Sequence, residues 1–330
     1  MRLVAALVVA LLMLATAARA TDPGYAAPGP FSVRTVDDTW SDDSRERDVP
    51  VRLRLPDTRE LVPVILFSHG LGGSRAGGAE WGAQWASHGF AVIHVQHPGS
   101  DESTWRDKPP GERLAGLRSG ISLEQFSARV ADVKFVLAEL DRRQRARDAP
   151  ATRLDLARLG MSGHSFGAVT TLYLGGQQPA IGGFALGDLS EKRFTAFLAF
   201  SPQAAAGSDP RLQFAPFTRP ALLVTGTLDG QPFSGLGVTA EQRLVPFEAM
   251  PASGNKFLLV VDQADHMFFN GTRGLRDFGA AGRAGVDFAS VEARGYPQVK
   301  AVSTAYWRAR LRDDRAATEW LRHNRDVRTK

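Results

Sequence analysis

The run Leu156-Ala157-Arg158-Leu159-Gly160-Met161-Ser162-Gly163-His164-Ser165-Phe166-Gly167-Ala168-Val169-Thr170-Thr171-Leu172-Tyr173-Leu174 decides how this chain is read. Leu156 to Met161 predicts a short strand and Phe166 to Leu174 a helix, with G-x-S-x-G at their junction. In a chain with 33 glycines among 330 residues, such a run alone arises easily by accident, so the context carries the weight. A sharp strand-to-helix turn needs close backbone approach, and Gly163 and Gly167 permit it. The turn lifts the Ser165 hydroxyl above the sheet and aims the first helical N–H groups at a reacting oxygen. Ser165 is therefore the candidate nucleophile.

Outward from this turn the chain alternates strands and helices. Strands are expected at Phe31 to Val36, Val49 to Leu55, Val62 to Phe67, Phe90 to Val95, Thr195 to Phe200, Ala221 to Thr225 and Phe257 to Val261. The polar stretch Asp37 to Asp48 reads as the connection between the first two. Helices are expected at Glu80 to His88, Leu123 to Arg143, Val299 to Leu311 and Ala316 to Leu321. Continuous apolar runs such as Val62 to Phe67 suit strands buried on both faces. The alternation predicts a mostly parallel sheet with helices on both faces, which places sites in the loops after strand carboxyl ends. Residues 31–330 read as one domain, with rim or lid insertions near 100–120, 232–251 and 267–295.

Those loops hold the chemistry. Ser162 to Gly167 supplies Ser165, Gly226 to Gly230 supplies Asp229, and Asp262 to Met267 supplies His266. A serine hydroxyl needs a base within hydrogen-bond reach, and a base needs an orienting carboxylate. His266 is the base and Asp229 the acid in this reading. Asp188, in the irregular stretch after the elbow helix, and Asp265, beside His266, are the rival acids. The backbone N–H groups of Phe166 and Leu71 are the expected oxyanion donors. His69 reads as a structural hydrogen-bonder. His94 and His97, near Asp101, fall on opposite faces of a strand, which disfavours a metal site. No metal or cofactor is expected. Asn270-Gly271-Thr272 is a glycosylation sequon that says little alone.

The whole chain sets outer limits. Arg2, the apolar run Leu3 to Ala15 and Ala18-Arg19-Ala20 read as a cleavable export leader over residues 1–20, followed by a flexible lead-in over 21–30. The apolar run is shorter than the roughly 20 residues a spanning helix needs. The expectation is a periplasmic or secreted protein without stable membrane insertion. The formal charge of +5 falls to +3 without Arg2 and Arg19, too mild to imply nucleic acid. There is no cysteine, which excludes disulfides, thiolate metal sites and a Cys nucleophile.

Three segments carry a family resemblance. Phe67-Ser68-His69-Gly70-Leu71-Gly72, Ala86-Ser87-His88-Gly89-Phe90-Ala91-Val92 and Gly163-His164-Ser165-Phe166-Gly167 resemble platelet-activating-factor acetylhydrolases and the bacterial predicted dienelactone hydrolases. The resemblance spans roughly Arg52 to Leu321, and its end, around Ala305-Tyr306-Trp307 and Glu319-Trp320-Leu321, is similar to the bacterial branch. It implies an α/β-hydrolase fold and cofactor-free hydrolysis of short acyl esters, on a small-molecule or lipid-like substrate. There are two departures. True dienelactone hydrolases use a Cys nucleophile, absent here. The animal phospholipid enzymes carry the acid after the strand that follows the elbow helix, where this chain reads Phe200-Ser201-Pro202. Amidase, peptidase or acyltransferase chemistry could use the same three residues. A binding protein on a dead hydrolase fold would lack one of them, and none is missing.

Overall fold

A computed structural model describes residues 23–178, 187–230, 238–272 and 286–330. The expected leader lies outside the described residues, as do positions 232–237 and 273–285 of the expected rim insertions. The described chain opens with strands β1 (Val33–Asp42) and β2 (Arg47–Pro56). Strand β3 (Val62–Ser68), helix α1 (Ala79–Ser87) and strand β4 (Ala91–Val95) follow. Helices α2 (Arg113–Ser119) and α3 (Leu123–Arg145) lead to β5 (Leu154–His164) and α4 (Phe166–Leu174). Next come β6 (Phe194–Phe200), α5 (Pro210–Phe214), β7 (Ala221–Leu228), α6 (Val245–Ala249) and β8 (Lys256–Asp265). Helices α7 (Phe288–Leu311) and α8 (Arg315–His323) and strand β9 (Val327–Thr329) close the chain.

All nine described strands form one sheet in the order β1-β2-β4-β3-β5-β6-β7-β8-β9. The six strands from β4 to β8 in that order are parallel. The β1–β2 hairpin and β9 are antiparallel additions at the two edges. Central strands are buried on both faces, and their side chains divide with a period of two. Val64 and Leu66 of β3 join one core with α3 and α4. Ile65 and Phe67 join the other with α1, α7 and α8. The second core is rich in aromatics: Trp81, Trp85, Phe200, Tyr306 and Trp307 are all fully buried. Each such side chain contributes roughly 1.5–3 kcal/mol by leaving water.

Helix α3 starts where Ser122 Oγ accepts from the Gln125 N–H at 3.1 Å, and its last turn carries Arg142, Arg143 and Arg145, which suit the helix dipole. Its inward face holds Phe126, Val130, Val133, Val136, Leu137 and Leu140. Two charged residues, Arg129 and Asp132, interrupt that face and are fully buried.

Several expectations need correction. The polar Asp37 to Asp48 region is mostly strand, because an edge hairpin tolerates charge on its open face: Arg52 grips Asp37 with two hydrogen bonds of 2.7 Å. The lead-in from Pro23 onward is docked rather than loose. Gln84 Nε2 donates to the carbonyls of Tyr25 and Ala27, and Tyr25 packs edge-on to Trp320 at 5.5 Å. Residues 288–295 belong to α7 and not to a rim, although Gly295 and Pro297 lie in that helix. The 100–120 excursion contains α2 and lies over the loop after β3, where Trp105 Nε1 donates to the Gly72 carbonyl at 2.7 Å. Strands β5, β7 and β8 run further than expected, so Ser165, Asp229 and His266 follow their last residues directly.

Candidate active site

The register of the sheet brings these strand ends together. Ser68 pairs with Gly163, His164 with Phe200, and Leu228 with Asp265. Ser165 sits between β5 and α4 with φ 56° and ψ −115°, a conformation a side-chain-bearing residue adopts only under constraint. The constraint is close packing. A Cβ on Gly163 would collide with the Gly167 carbonyl and lie 2.8 Å from the Ser68 oxygen, and one on Gly167 would collide with that same oxygen. The Ser165 N–H is tied to the Phe200 carbonyl at 3.0 Å.

Ser165 Oγ lies 2.9 Å from His266 Nε2, and His266 Nδ1 lies 2.8 Å from Asp229 Oδ1. A carboxylate on Nδ1 fixes the tautomer: Nδ1–H donates to Asp229, and Nε2 accepts from the hydroxyl. Asp229 is fully buried, and its Oδ2 accepts from Thr225 Oγ1 at 2.8 Å. The rival acids are elsewhere. Asp188 is exposed and accepts from the Ser190 N–H, and Asp265 caps the turn at the Phe268 N–H.

The loop His69-Gly70-Leu71 leaves β3 beside the elbow. A Cβ on Gly70 would stand 3.4 Å from the Ser165 Cβ. Among the described residues, no protein acceptor takes the N–H of Leu71 or of Phe166. The loop is held from below. His69 Nδ1 donates to the Gly70 carbonyl at 2.6 Å, and His69 Nε2 accepts from the His97 N–H at 3.0 Å. Arg129 donates to the His69 carbonyl through both terminal nitrogens, at 3.0 and 2.6 Å, and stacks 4.4 Å from the Phe166 ring centroid. One buried guanidinium thus braces both places where an oxyanion donor is expected. Burial pulls the Arg129 pKa down to about 9, against the attraction of Asp132 and Asp101, so it stays charged at neutral pH.

Beneath this loop lies a second chain of the same residue types. Ser68 Oγ is 2.9 Å from His97 Nε2, and His97 Nδ1 is 3.0 Å from Asp132 Oδ2. All three side chains are fully buried. Asp132 also accepts from Arg45 and Arg47, and its pKa lies well below the usual carboxylate range because its hydrogen bonds from His97 and Arg47 outweigh burial. Burial and Arg129 hold His97 at about 4, so it is neutral. His94 faces the other way, toward the Gly77 carbonyl at 2.8 Å and the Phe67 ring, and does not meet His97.

Two features escaped the sequence reading. Arg129 and Asp132 were legible in principle, as charges at apolar-face positions of α3. Arg243 gave no signal, since it stands in a stretch without periodicity. It is fully buried against Asp229 and His266, with Nε 3.5 Å from Asp229 Oδ1 and Nη2 3.2 Å from His266 Nδ1. Beside the site, a cavity of about 310 Å³ opens between α3 and α4, lined by Ile121, Leu123, Phe126, Phe166, Val169 and Tyr173 among others.

The strand order, the parallel core and the covering helices make this chain an α/β-hydrolase by fold. The family model described as platelet-activating factor acetylhydrolase, isoform II, matches residues 48–149, which include His69 to Leu71, Arg129 and Asp132 and stop before Ser165. The platelet-activating factor acetylhydrolase of Bos taurus is 30% identical over 144 residues, 35% of this chain and 32% of the relative. That of Cavia porcellus is 30% identical over 153 residues, 38% of this chain and 34% of the relative. The chain is related to the platelet-activating factor acetylhydrolases through this shared part, and the match spans about a third of the length of those curated relatives.

Proposed function

We propose that the chain is an exported serine carboxylic-ester hydrolase, acting through an acyl-enzyme on short-chain, lipid-like esters. The observation that carries this reading is the continuous hydrogen-bonded line Ser165 Oγ–His266–Asp229 at a strained turn. In the first step His266 Nε2 takes the hydroxyl proton as Ser165 attacks the carbonyl carbon. The tetrahedral oxyanion is met by the Leu71 and Phe166 N–H groups, each worth about 3 kcal/mol by precedent. Asp229 stabilises the imidazolium formed meanwhile. His266 then protonates the departing alcohol, leaving the acyl group on Ser165. Water, activated by His266, releases the acid and restores the serine.

The apolar cavity beside Phe166 supports an aliphatic group on the substrate, and its volume is at the lower end of small-molecule sites. The likeness to platelet-activating factor acetylhydrolases supports an ester of lipid type. Export rests on the leader at residues 1–20, and the described residues contain no helix long and apolar enough to cross a membrane.

The test is labelling by a fluorophosphonate probe together with turnover of a panel of chromogenic esters of increasing acyl length. Wild type should be labelled and should hydrolyse the short members. Ser165→Ala should do neither while keeping its circular dichroism spectrum. Undiminished turnover by that variant would end this reading. Anilides of the same acids and added acceptor alcohols separate amidase and acyltransferase chemistry.

A further inference from the structure

Arg243 stands where three segments meet. Its Nη1 donates to the Ser201 carbonyl and to Gln203 Oε1, both at 3.0 Å. Its Nε lies 3.3 Å from the Asp229 carbonyl oxygen and 3.5 Å from Asp229 Oδ1. Ser201 and Gln203 lie directly after β6, where the animal relatives' acid is expected and where this chain reads Ser201-Pro202-Gln203; the later Asp209 of that loop caps α5. Ser201 is held at φ 54°, a left-handed conformation that its carbonyl contact with Arg243 helps to fix. The guanidinium therefore links the start of the loop after β6 to the loop that supplies Asp229.

We propose that Arg243 is a positioning residue of the acid–base pair: a buried cation set against both Asp229 and His266 Nδ1, whose charge bears on the pH range over which His266 serves as base. The proposal rests on the reading of Ser165, His266 and Asp229 given above.

The geometry sets the sign. His266 Nδ1 already bears the proton given to Asp229, so the Arg243 Nη2–H at 3.2 Å meets a donor and not an acceptor. That contact is repulsive, and more so once the ring carries a full positive charge. Two charges this close interact strongly at any dielectric below that of water. Among the described residues, one other group facing His266 opposes it and the rest are neutral or turned away. Asp229, from the end of β7, favours the imidazolium. His164, from the end of β5, is neutral: burial pushes its pKa well below the ordinary value. Ser165 is uncharged, and Asp265 is turned to the Phe268 N–H. Burial lowers the Arg243 pKa while the Asp229 charge opposes this.

The experiment is the rate of fluorophosphonate labelling of the full chain across the pH range in which imidazole titrates. In Arg243→Met the cation is gone, the imidazolium is favoured, and the acid limb should move up by about one pH unit. Arg243→Lys, which keeps the charge, should return the limb toward wild type. Arg243→Gln is the second neutral variant if methionine does not fold there, with the same displacement expected. A merely structural arginine would lower labelling equally at every pH. A limb that stays in place in a folded neutral variant overturns the proposal while leaving the hydrolase reading intact. Absence of labelling in wild type overturns that reading, and this proposal with it.

Discussion

His164 Nε2 donates to the backbone carbonyl of His266 at 2.9 Å, so the residue before the candidate nucleophile holds the main chain of the candidate base. The rings lie 4.8 Å apart, and His164 Nδ1, the unprotonated nitrogen of this tautomer, has no partner among the described residues. Replacing His164 by Phe removes the donor and keeps the bulk. The base can then drift relative to Ser165, and misplacement of about 1 Å costs on the order of 10²-fold. The expected result is a fall in kcat of that size with KM nearly unchanged. Steady-state kinetics on a short ester checks it, and an unaltered kcat would sink the idea.

Asp229→Asn should lower kcat by about 10⁴, since the amide favours the wrong imidazole tautomer. It should also destabilise the fold by about 3–5 kcal/mol, because it leaves the buried Arg243 without its counter-charge. Asp188→Asn, at an exposed position, should stay within about 0.5 kcal/mol and keep full activity. Urea unfolding and kinetics on the pair decide between the two carboxylates.

Stability should fall on acidification from an unusually high starting pH. Burial holds His97 at about 4 and His94 at about 3, and pushes His69 and His164 well below the ordinary value. The unfolded chain therefore binds protons that the folded chain refuses. Each of the four contributes stability that is complete above about pH 6.5 and declines below it by up to about 1.4 kcal/mol per pH unit, until its own folded pKa is reached. The depressed pKa of Asp132 adds a loss of the same sign below the ordinary carboxylate pKa. Urea midpoints at stepped pH test this; a flat profile between neutrality and pH 5 or so would contradict it.

Val169→Phe should shorten the acyl range. Val169 lines the cavity beside Phe166 and is half-exposed to it. The added ring occupies part of about 310 Å³, a space that Ser165, His266 and Asp229 do not line. Acetyl esters should keep their kcat/KM, while octanoyl esters should lose about tenfold or more, the scale of a misfitted methylene or two. Equal losses on both would place the acyl group elsewhere.

Much of this was legible in the sequence because the parallel sheet writes itself in continuous apolar runs. Val62 to Phe67, Thr195 to Phe200 and Ala221 to Thr225 could be little else, and the loops after Leu156 to Met161, Ala221 to Thr225 and Phe257 to Val261 hold Ser165, Asp229 and His266. The hairpin was less legible, because Asp37 to Asp48 carries edge-strand charge that local composition cannot tell from a loop. Helix α7 was legible only from Val299, because the stretch before it carries no readable periodicity; there Gly295 packs against Phe268 and Val261 with no room for a side chain. Arg243 was not legible at all: its meaning comes from three loops that meet only after folding.

The Ser68–His97–Asp132 line has a wider lesson. The fold assembles the same three residue types twice, with similar spacings. One copy opens at a strained turn beside free N–H groups; the other is sealed under the first loop, with its acid shared among two arginines. A geometric template for the trio alone would find both. The sealed copy is thus an internal control that the protein provides for any probe of serine reactivity, and what it isolates is access: identical atoms, similar distances, and no route for a carbonyl to arrive.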